Sequence, residues 1–193
     1  TIGIHPSEVT SSHLSIVEQY ITNSKIVGIG EIGLDYHYGK ENIYLQKEIF
    51  QKQIELARKY HKPVVIHSRD AAQDTLEIIK NNADVEYIMH CYSYSVEIAK
   101  QLLKYSVKFG IGGVLTFKNS KEIKEVVKML PIDKIVLETD SPWLTPEPYR
   151  GQKNEPKNVV LVAKKIAEIK EISLDEVLEK TTKTAIKQFD LPI

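Results

Sequence analysis

The sequence is poor in cysteine, in net charge and in long apolar runs. A single cysteine among 193 residues cannot form an internal disulfide, which excludes a disulfide-stapled scaffold and favours a reducing compartment. Lys and Arg together number 26, as do Asp and Glu, which argues against a protein that coats nucleic acid through bulk positive charge. No run approaches the roughly 18 apolar residues of a membrane span, and the first residues do not resemble a secretory signal. We therefore expect a globular cytoplasmic protein without a membrane partner.

Short runs rich in β-branched residues alternate with longer segments of helical period. The runs lie at 26–30, 63–66, 85–89, 107–112 and 134–138, and a shorter one opens the chain at 2–4. Helices are predicted at 42–60, 70–81, 95–105, 119–129, 156–170 and 174–188. Asp70 and Ser95 are the predicted caps of two of these helices. Strands that alternate with helices indicate β-α-β units and a parallel sheet, here in a single domain over 1–193.

Metal-ligating side chains stand at or just past the ends of four predicted strands. They are Glu31, His67, His90 and Asp140. Because parallel strands end at one edge of their sheet, we expect these side chains to converge. Two imidazoles and two carboxylates suit a divalent ion such as Zn²⁺, Mn²⁺ or Mg²⁺. Such an ion lowers the pKa of a bound water, and a carboxylate beside it can accept a proton.

Other readings of these residues stay open. A single histidine at a strand end is more often structural than a metal ligand. Four ligand-type residues at the same register of four strands, however, are not easily explained by core packing alone. Glu138 either orients a ligating histidine or is a buried carboxylate paired with a basic side chain. The glycines match neither phosphate-binding motif, so no nucleotide cofactor is predicted.

Basic and aromatic residues cluster near the predicted strand ends. The basic ones are Arg69, Lys118, Arg150, Lys153 and Lys157, and the aromatic ones are Tyr36, Tyr92, Trp143 and Tyr149. Such a rim could hold phosphates and stack bases. The alternative is an ordinary solvated rim, with the aromatic side chains packed under a loop.

Six segments together resemble a known family. They are GIHP at 3–6, GEIGLDY at 30–36, PVVIHSRDA at 63–71, HCYS at 90–93, LETDSPWL at 137–144 and RGQKNEP at 150–156. In this order and at this spacing they are similar to the TatD-related metal-dependent deoxyribonucleases, over essentially the whole chain. GEIGLDY and ETDSPWL together are highly specific, whereas GIHP alone is weak.

The resemblance implies a (β/α)₈ barrel of the TIM type and of the metal-dependent hydrolase kind, with one or two divalent cations at its C-terminal mouth. It implies that Glu31, His67, His90 and Asp140 bind metal, with Glu31 and Asp140 also catalytic and Asp140 accepting a proton. It places four further residues in the substrate cleft, namely His5, Arg69, Arg150 and Asn154. The implied activity is hydrolysis of phosphodiester bonds in DNA by a metal-activated water, mainly from strand ends in the 3′-to-5′ direction.

One departure from the family pattern concerns its first strand. Family members begin with a strand that ends in a His-x-His pair, and no such pair occurs in this sequence. The run at 2–4 matches the third strand of the family, so strands three to eight of the barrel are expected, in a domain truncated at its N-terminus. A complete barrel has about 250 residues. Two alternatives stand. Because many hydrolases share this metal geometry, the protein could be a related barrel hydrolase of esters, lactones or amides. Because the first two strands are missing, it could also be a catalytically inactive fragment that serves as a binding or scaffold protein.

Overall fold

The computed structural model describes residues 1–10, 13–39 and 41–192. Within these residues, five strands alternate with helices. The strands are β1 (Ile29–Asp35), β2 (Val64–Arg69), β3 (Tyr87–Met89), β4 (Val107–Ile111) and β5 (Ile135–Leu137). The helices are α1 (Leu14–Tyr20), α2 (Ile43–Lys59), α3 (Ala72–Asn81), α4 (Val96–Leu102), α5 (Lys121–Met129), α6 (Val159–Lys170) and α7 (Leu174–Phe189). The predicted α/β class is confirmed.

The contacts within the chain divide it into two compact units. The first comprises Thr1–His90, Gln101–Val107 and Gln188–Ile193, and the second comprises Cys91–Lys100 and Lys108–Lys187. A single hydrolase domain truncated at its N-terminus stays a prediction. None of the helices formed by the described residues combines the length and the apolar character needed to cross a bilayer.

In the first unit, β1 pairs in parallel with β2, and β2 pairs in parallel with β3. Alternation along β1 and β2 buries Ile32, Leu34, Val64 and Ile66 completely. The short run at 2–4 adds one parallel bridge, from Ile2 to Ile29. The apolar face of α2 packs against β1 and contributes fully or nearly fully buried side chains at helical spacing, namely Ile49, Phe50, Ile54 and Ala57.

In the second unit, β4 pairs in parallel with β5, with Phe109 opposite Ile135 and Ile111 opposite Leu137. Helix α5 lies against α6. Their buried side chains recur at a period of three or four residues, and they are Ile123, Val126, Val127, Val162, Ala163 and Ile166.

The strands that carry the first two site residues extend further than predicted. Glu31 lies inside β1 and His67 lies inside β2, whereas the sequence pattern placed each just after its strand. The difference arises because strand pairing continues through polar residues, as far as Asp35 opposite Arg69. The predicted cap Asp70 was wrong, since Asp70 has a left-handed backbone (φ 55°) and the N-cap position of α3 is Ala71, which makes no side-chain capping hydrogen bond. Ser95 does cap its helix, because its Oγ accepts a hydrogen bond from the N–H of Ile98 at 3.4 Å.

Candidate metal centre

Three predicted ligands lie together in the first unit. One carboxylate oxygen of Glu31, Oε2, is 3.8 Å from Nδ1 of His67 and 3.7 Å from Nε2 of His90. These distances are too long for hydrogen bonds. They are close to the roughly 3.4 Å that separates neighbouring ligand atoms around a tetrahedral ion with bonds of about 2.1 Å. One carboxylate and two imidazoles are donors that suit a divalent metal, and each of the two imidazoles lies at about ligand spacing from the carboxylate.

The pairing of β1 with β2 places Glu31 and His67 side by side. Between Ile29 and Ile32, β1 has one residue more than the facing stretch of β2, and such a bulge redirects the side chains next to it. Further along, Gly33 lies opposite His67 with a φ of 142°, and a Cβ there would overlap the carbonyl oxygen of His67. Only glycine allows this approach, so Gly33 keeps the two strands in register beside the site.

His67 is oriented by a carboxylate that the sequence analysis did not single out. Nε2 of His67 donates to Oδ2 of Asp35 at 3.0 Å, and the other oxygen of Asp35 accepts the backbone N–H of His37 at 2.9 Å. The side chain of Asp35 is only 6% exposed. This bond puts the proton of the neutral imidazole on Nε2 and leaves Nδ1 unprotonated, with its lone pair on the side of Glu31. A histidine that binds a metal needs such an unprotonated nitrogen. The spacing of the sequence could have indicated this role of Asp35, because Glu31 and Asp35 are four residues apart and therefore share a face of an extended strand.

We expect Asp35→Asn to weaken divalent-metal binding by about 10- to 100-fold, the usual effect of losing a partner that orients a ligand. The amide would present an N–H donor to Nε2 of His67 and so favour the tautomer in which Nδ1 is protonated. Calorimetric titration with Zn²⁺ or Mn²⁺ measures the change. The matched control is Asp74→Asn, which removes another partly buried carboxylate, held by Tyr36 and Lys47 in the same unit. Equal metal affinity in wild type and Asp35→Asn would contradict the orienting role.

Two glutamines on one face of α2 hold the backbone on which the site is built. Gln46 accepts from the N–H of Asp35 at 2.8 Å and donates to its C=O at 2.9 Å. Gln53 bonds the N–H and C=O of Ile4 in the same way, at 2.7 and 3.2 Å. Both glutamines are buried, so these bonds satisfy main-chain groups that would otherwise be costly to bury. They fix the positions of Asp35 and of the residue before His5.

His5 lies against His67, with ring centroids 4.4 Å apart in an edge-to-face arrangement. With Glu31 and His67 it forms a group whose potential ligand atoms all lie within 4.8 Å of one another. However, Nδ1 of His5 accepts the backbone N–H of Ser7 at 3.1 Å, which leaves the proton of the neutral ring on Nε2. Burial, followed by the neighbouring His67 charge, holds the pKa of His5 below its ordinary value, against an opposing effect of Glu31. The ring therefore suits a hydrogen-bond donor better than a metal ligand, and its predicted place in the substrate cleft stays a prediction.

Asp140 lies in the second unit, three residues past the end of β5. Its backbone is left-handed (φ 54°), and its C=O accepts the N–H of Trp143 at 2.8 Å. Glu138, two residues earlier, accepts the backbone N–H of Cys91 at 2.6 Å through Oε1. That partner is one that neither sequence-based alternative for Glu138 named. The role of Asp140 as a metal ligand stays a prediction.

The three other residues of the predicted cleft have defined contacts. The guanidinium of Arg69 lies 5.5 Å from the ring centroid of Tyr38, and that of Arg150 lies 4.2 Å from the ring centroid of Phe117. Both arginines are exposed, and their role in substrate binding stays a prediction.

Asn154 is only 3% exposed, and its amide is fully engaged inside its loop. Nδ2 donates to the carbonyls of Thr139 and Trp143, both at 2.7 Å. Oδ1 accepts from the N–H of Glu155 and from the side chain of Asn158, both at 2.9 Å. Because both donors and both lone pairs are used, this side chain holds the loop together. Direct binding of substrate by Asn154, which the family resemblance implied, stays a prediction that these bonds do not favour.

Comparison with solved structures defines the class of fold first. The whole chain superimposes on 76% of YJJV, a TatD homologue from Escherichia coli K12, with a TM-score of 0.92 and 25% identity. A TatD family hydrolase from Entamoeba histolytica matches with a TM-score of 0.85 at 24% identity, over 98% of this chain and 73% of the other. The predicted TIM-type fold of the metal-dependent hydrolase kind is confirmed.

Comparison of sequences then identifies the family. The model of the family described as TatD related DNase matches residues 1–190, and the chain belongs to that family. It is 43% identical over 193 residues to YabD of Bacillus subtilis, covering 97% of this chain and 76% of the relative. It is 32% identical over 192 residues to YcfH of Escherichia coli K12, covering 98% of this chain and 72% of the relative. Both relatives bear the name of uncharacterized metal-dependent hydrolase, and this chain is a member of the same class of enzymes.

Proposed function

We propose that this protein is a deoxyribonuclease that hydrolyses phosphodiester bonds from the 3′ ends of DNA strands and depends on one or two divalent cations. The observation that carries the proposal is the convergence of two imidazole nitrogens on one carboxylate oxygen of Glu31, at 3.7 and 3.8 Å. The family to which the chain belongs supports DNA as the substrate. The single cysteine supports a reducing, cytoplasmic location.

Each residue of the site has a proposed task. Glu31, His67 and His90 would hold Mg²⁺, Mn²⁺ or Zn²⁺, and Asp35 keeps the lone pair of His67 free for the metal. Asp140 is a further proposed ligand. A divalent ion at this site would supply a water of lowered pKa and would offset charge on the phosphoryl oxygens. Asp140 would accept the proton that the attacking water loses as its oxygen bonds to phosphorus, and would return it to the sugar oxygen released when the P–O bond of the substrate breaks.

The cationic and hydrogen-bonding groups around the site bind the substrate. Nε2–H of His5 donates a hydrogen bond to a phosphate oxygen, in line with the protonated nitrogen that Ser7 imposes on it. Arg69, at the end of β2, binds a second oxygen with its planar guanidinium. These contacts place the phosphodiester without taking part in bond cleavage.

The proposal is tested with metal-free protein to which Mg²⁺, Mn²⁺ or Zn²⁺ is added back. A single-stranded oligonucleotide with a fluorophore at its 5′ end should yield a ladder of progressively shorter products, and chelation by EDTA should stop the reaction. The same preparations are offered an aryl ester, a lactone and an amide. Faster turnover of any of these, judged by kcat/KM, would make the protein a hydrolase of that bond instead. Metal binding without turnover of any substrate would favour a binding or scaffold protein, and cleavage that persists in EDTA would refute the metal requirement.

A further inference from the structure

One buried side chain of the second unit holds both sides of the turn that carries Asp140. We propose that Asn154 is a positioning residue for Asp140, because its amide fixes the direction in which the carboxylate leaves the main chain. The inference rests on the proposed function, in which Asp140 accepts a proton, and adds the residue that keeps this acceptor in place. In this role Asn154 acts through Asp140 and needs no contact with the substrate.

Two peptide groups flank the Cα atom of Asp140, and each is held by a hydrogen bond. The carbonyl before it, that of Thr139, accepts from Nδ2 of Asn154 at 2.7 Å. The carbonyl after it, that of Asp140 itself, accepts from the N–H of Trp143 at 2.8 Å. Because peptide groups are planar, the orientation of the two groups around a Cα atom sets the direction of its Cα–Cβ bond. These two bonds therefore set the direction in which the side chain of Asp140 starts.

The amide of Asn154 also supports the second of these bonds. Nδ2 donates to the carbonyl of Trp143 at 2.7 Å, and Trp143 is the residue whose N–H binds the carbonyl of Asp140. The backbone N–H of Asn154 adds a bond to the carbonyl of Pro142 at 3.0 Å. Asn154 thus binds the turn before and after Asp140, so that loss of its amide would release both ends at once.

The backbone of Asp140 has a conformation that needs such support. Its φ of 54° lies in the left-handed region, which residues other than glycine seldom adopt. Such a conformation persists where surrounding contacts impose it, and it clusters at sites where a side chain is held for function. Asn154 is only 3% exposed, so water competes little for the bonds that impose it here.

Neighbouring groups orient the amide of Asn154. Oδ1 accepts from the N–H of Glu155 and from Nδ2 of Asn158, both at 2.9 Å. Because these two donors require an oxygen, the NH₂ group is turned to the carbonyls of Thr139 and Trp143. The orientation that positions Asp140 is therefore set by protein groups alone.

Asn154→Asp tests the proposal with a side chain of nearly the same shape. It keeps Oδ1 but places a second oxygen opposite two carbonyls, where the two donated bonds are lost. We expect kcat for oligonucleotide cleavage to fall by about 10- to 100-fold, since displacing a reacting group by about 1 Å costs on the order of 10²-fold. KM should stay near that of wild type, because the proposal gives Asn154 no contact with substrate. If Asn154→Asp does not fold, Asn154→Ser takes its place, since it brings no charge against the carbonyls.

A double-mutant cycle with Asp140→Asn shows whether Asn154 acts through Asp140. Residues that work as a unit are not additive, so Asn154→Asp should slow the wild type but have little further effect in the Asp140→Asn background. Calorimetric titration with Mn²⁺ gives a second cycle that does not depend on turnover, because Asp140 is also a proposed ligand. There Asn154→Asp should weaken binding by about 10-fold only where Asp140 is present. Equal effects in both backgrounds, in both cycles, would overturn the proposal.

Thr145→Val is the matched control. Thr145 is buried in the same loop, and its Oγ1 donates to the carbonyl of Gln152 at 2.6 Å, so neither partner belongs to the peptide groups that flank Asp140. Loss of this bond should lower the unfolding temperature but leave kcat and metal affinity unchanged. An equal fall of kcat in Thr145→Val and Asn154→Asp would indicate a general loosening of the loop and would contradict a specific effect on Asp140.

Hydrogen exchange of the Trp143 N–H, followed by NMR, reports on the turn itself, because this N–H binds the carbonyl of Asp140. In Asn154→Asp it should lose protection, while the amides of β4 and β5 stay protected. Unchanged protection would mean that Asn154 does not hold the turn. Lost protection with wild-type kcat and metal affinity would mean that the turn does not position Asp140.

The outcomes separate this inference from the proposed function. If the wild type cleaves DNA and Asn154→Asp has the same kcat, only the positioning role fails. If the wild type cleaves no substrate, the deoxyribonuclease function fails, and the cycle of Mn²⁺ affinities decides the inference. Coupling between Asn154 and Asp140 in that cycle would support the positioning role, and its absence would overturn it.

Discussion

Glu31→Gln is expected to abolish divalent-metal binding and, with it, hydrolysis. Its Oε2 is the atom on which His67 and His90 converge, at 3.8 and 3.7 Å. Glutamine keeps the size of the side chain but removes one negative charge that offsets the ion. We expect metal affinity to fall by more than about 100-fold, beyond the range for residues that only orient a ligand. The rate should fall by at least about 10³-fold, because a metal ion supplies several kcal/mol and about 1.4 kcal/mol is a factor of ten.

Calorimetry with Zn²⁺ and Mn²⁺, together with cleavage of a labelled oligonucleotide, measures both effects. Thermal unfolding provides a readout that does not depend on activity. A ligand that binds only the folded state raises the unfolding temperature of wild type, and Glu31→Gln should lose this metal-dependent increase. Glu55→Gln is the matched control, since Glu55 is exposed on α2. Wild-type metal affinity in Glu31→Gln would remove Glu31 from the site.

Asp140→Asn is expected to reduce cleavage by about 10²- to 10⁴-fold, the range for loss of a positioned proton acceptor. Asparagine has nearly the same shape as aspartate but cannot take up a proton in the same way. The left-handed backbone at this position (φ 54°) is one that asparagine tolerates well. The fold should therefore be retained, with an unchanged circular dichroism spectrum and an unfolding temperature close to that of wild type.

The comparison for Asp140→Asn is Asp133→Asn, which changes an exposed carboxylate in the same unit and should leave the rate unchanged. A pH–rate profile adds a second check. If Asp140 accepts the proton, the variant should lose the acidic limb of the profile, whereas a purely structural defect would lower the rate equally at every pH. Undiminished cleavage by Asp140→Asn would refute its catalytic role.

The helices were largely predictable from the sequence, whereas the ends of two strands were not. Periodicity placed a helix at 42–60, and α2 spans Ile43–Lys59. Its buried positions are set by local geometry, which the order of residues already encodes. For β1 and β2, the polar residues after the apolar runs suggested that the strands had ended. Their pairing continues through Asp35 and Arg69 because hydrogen bonds between strands depend on the partner strand, which a local pattern does not contain.

The same limit applied to the site. Glu31, His67 and His90 were identified by residue type at predicted strand ends. Asp35 was missed because its importance lies in a bond to His67, which is 32 residues away in sequence. Gln46 and Gln53 were missed for the same reason, since their hydrogen bonds reach the main chain of other segments.

The sequence by itself determined the class of fold and the family and predicted the types of ligand, because apolar periodicity and motif spacing are properties of the chain order. Only the tertiary structure decided which nitrogen of His67 is available to a metal, why His5 is better suited to donate a hydrogen bond, and that Asn154 holds a loop. Each of these depends on the hydrogen-bond partner that the fold brings to an atom. The partner of His67 is Asp35 on another strand, and a partner of Asn154 is the carbonyl of Thr139 at the other end of a folded loop.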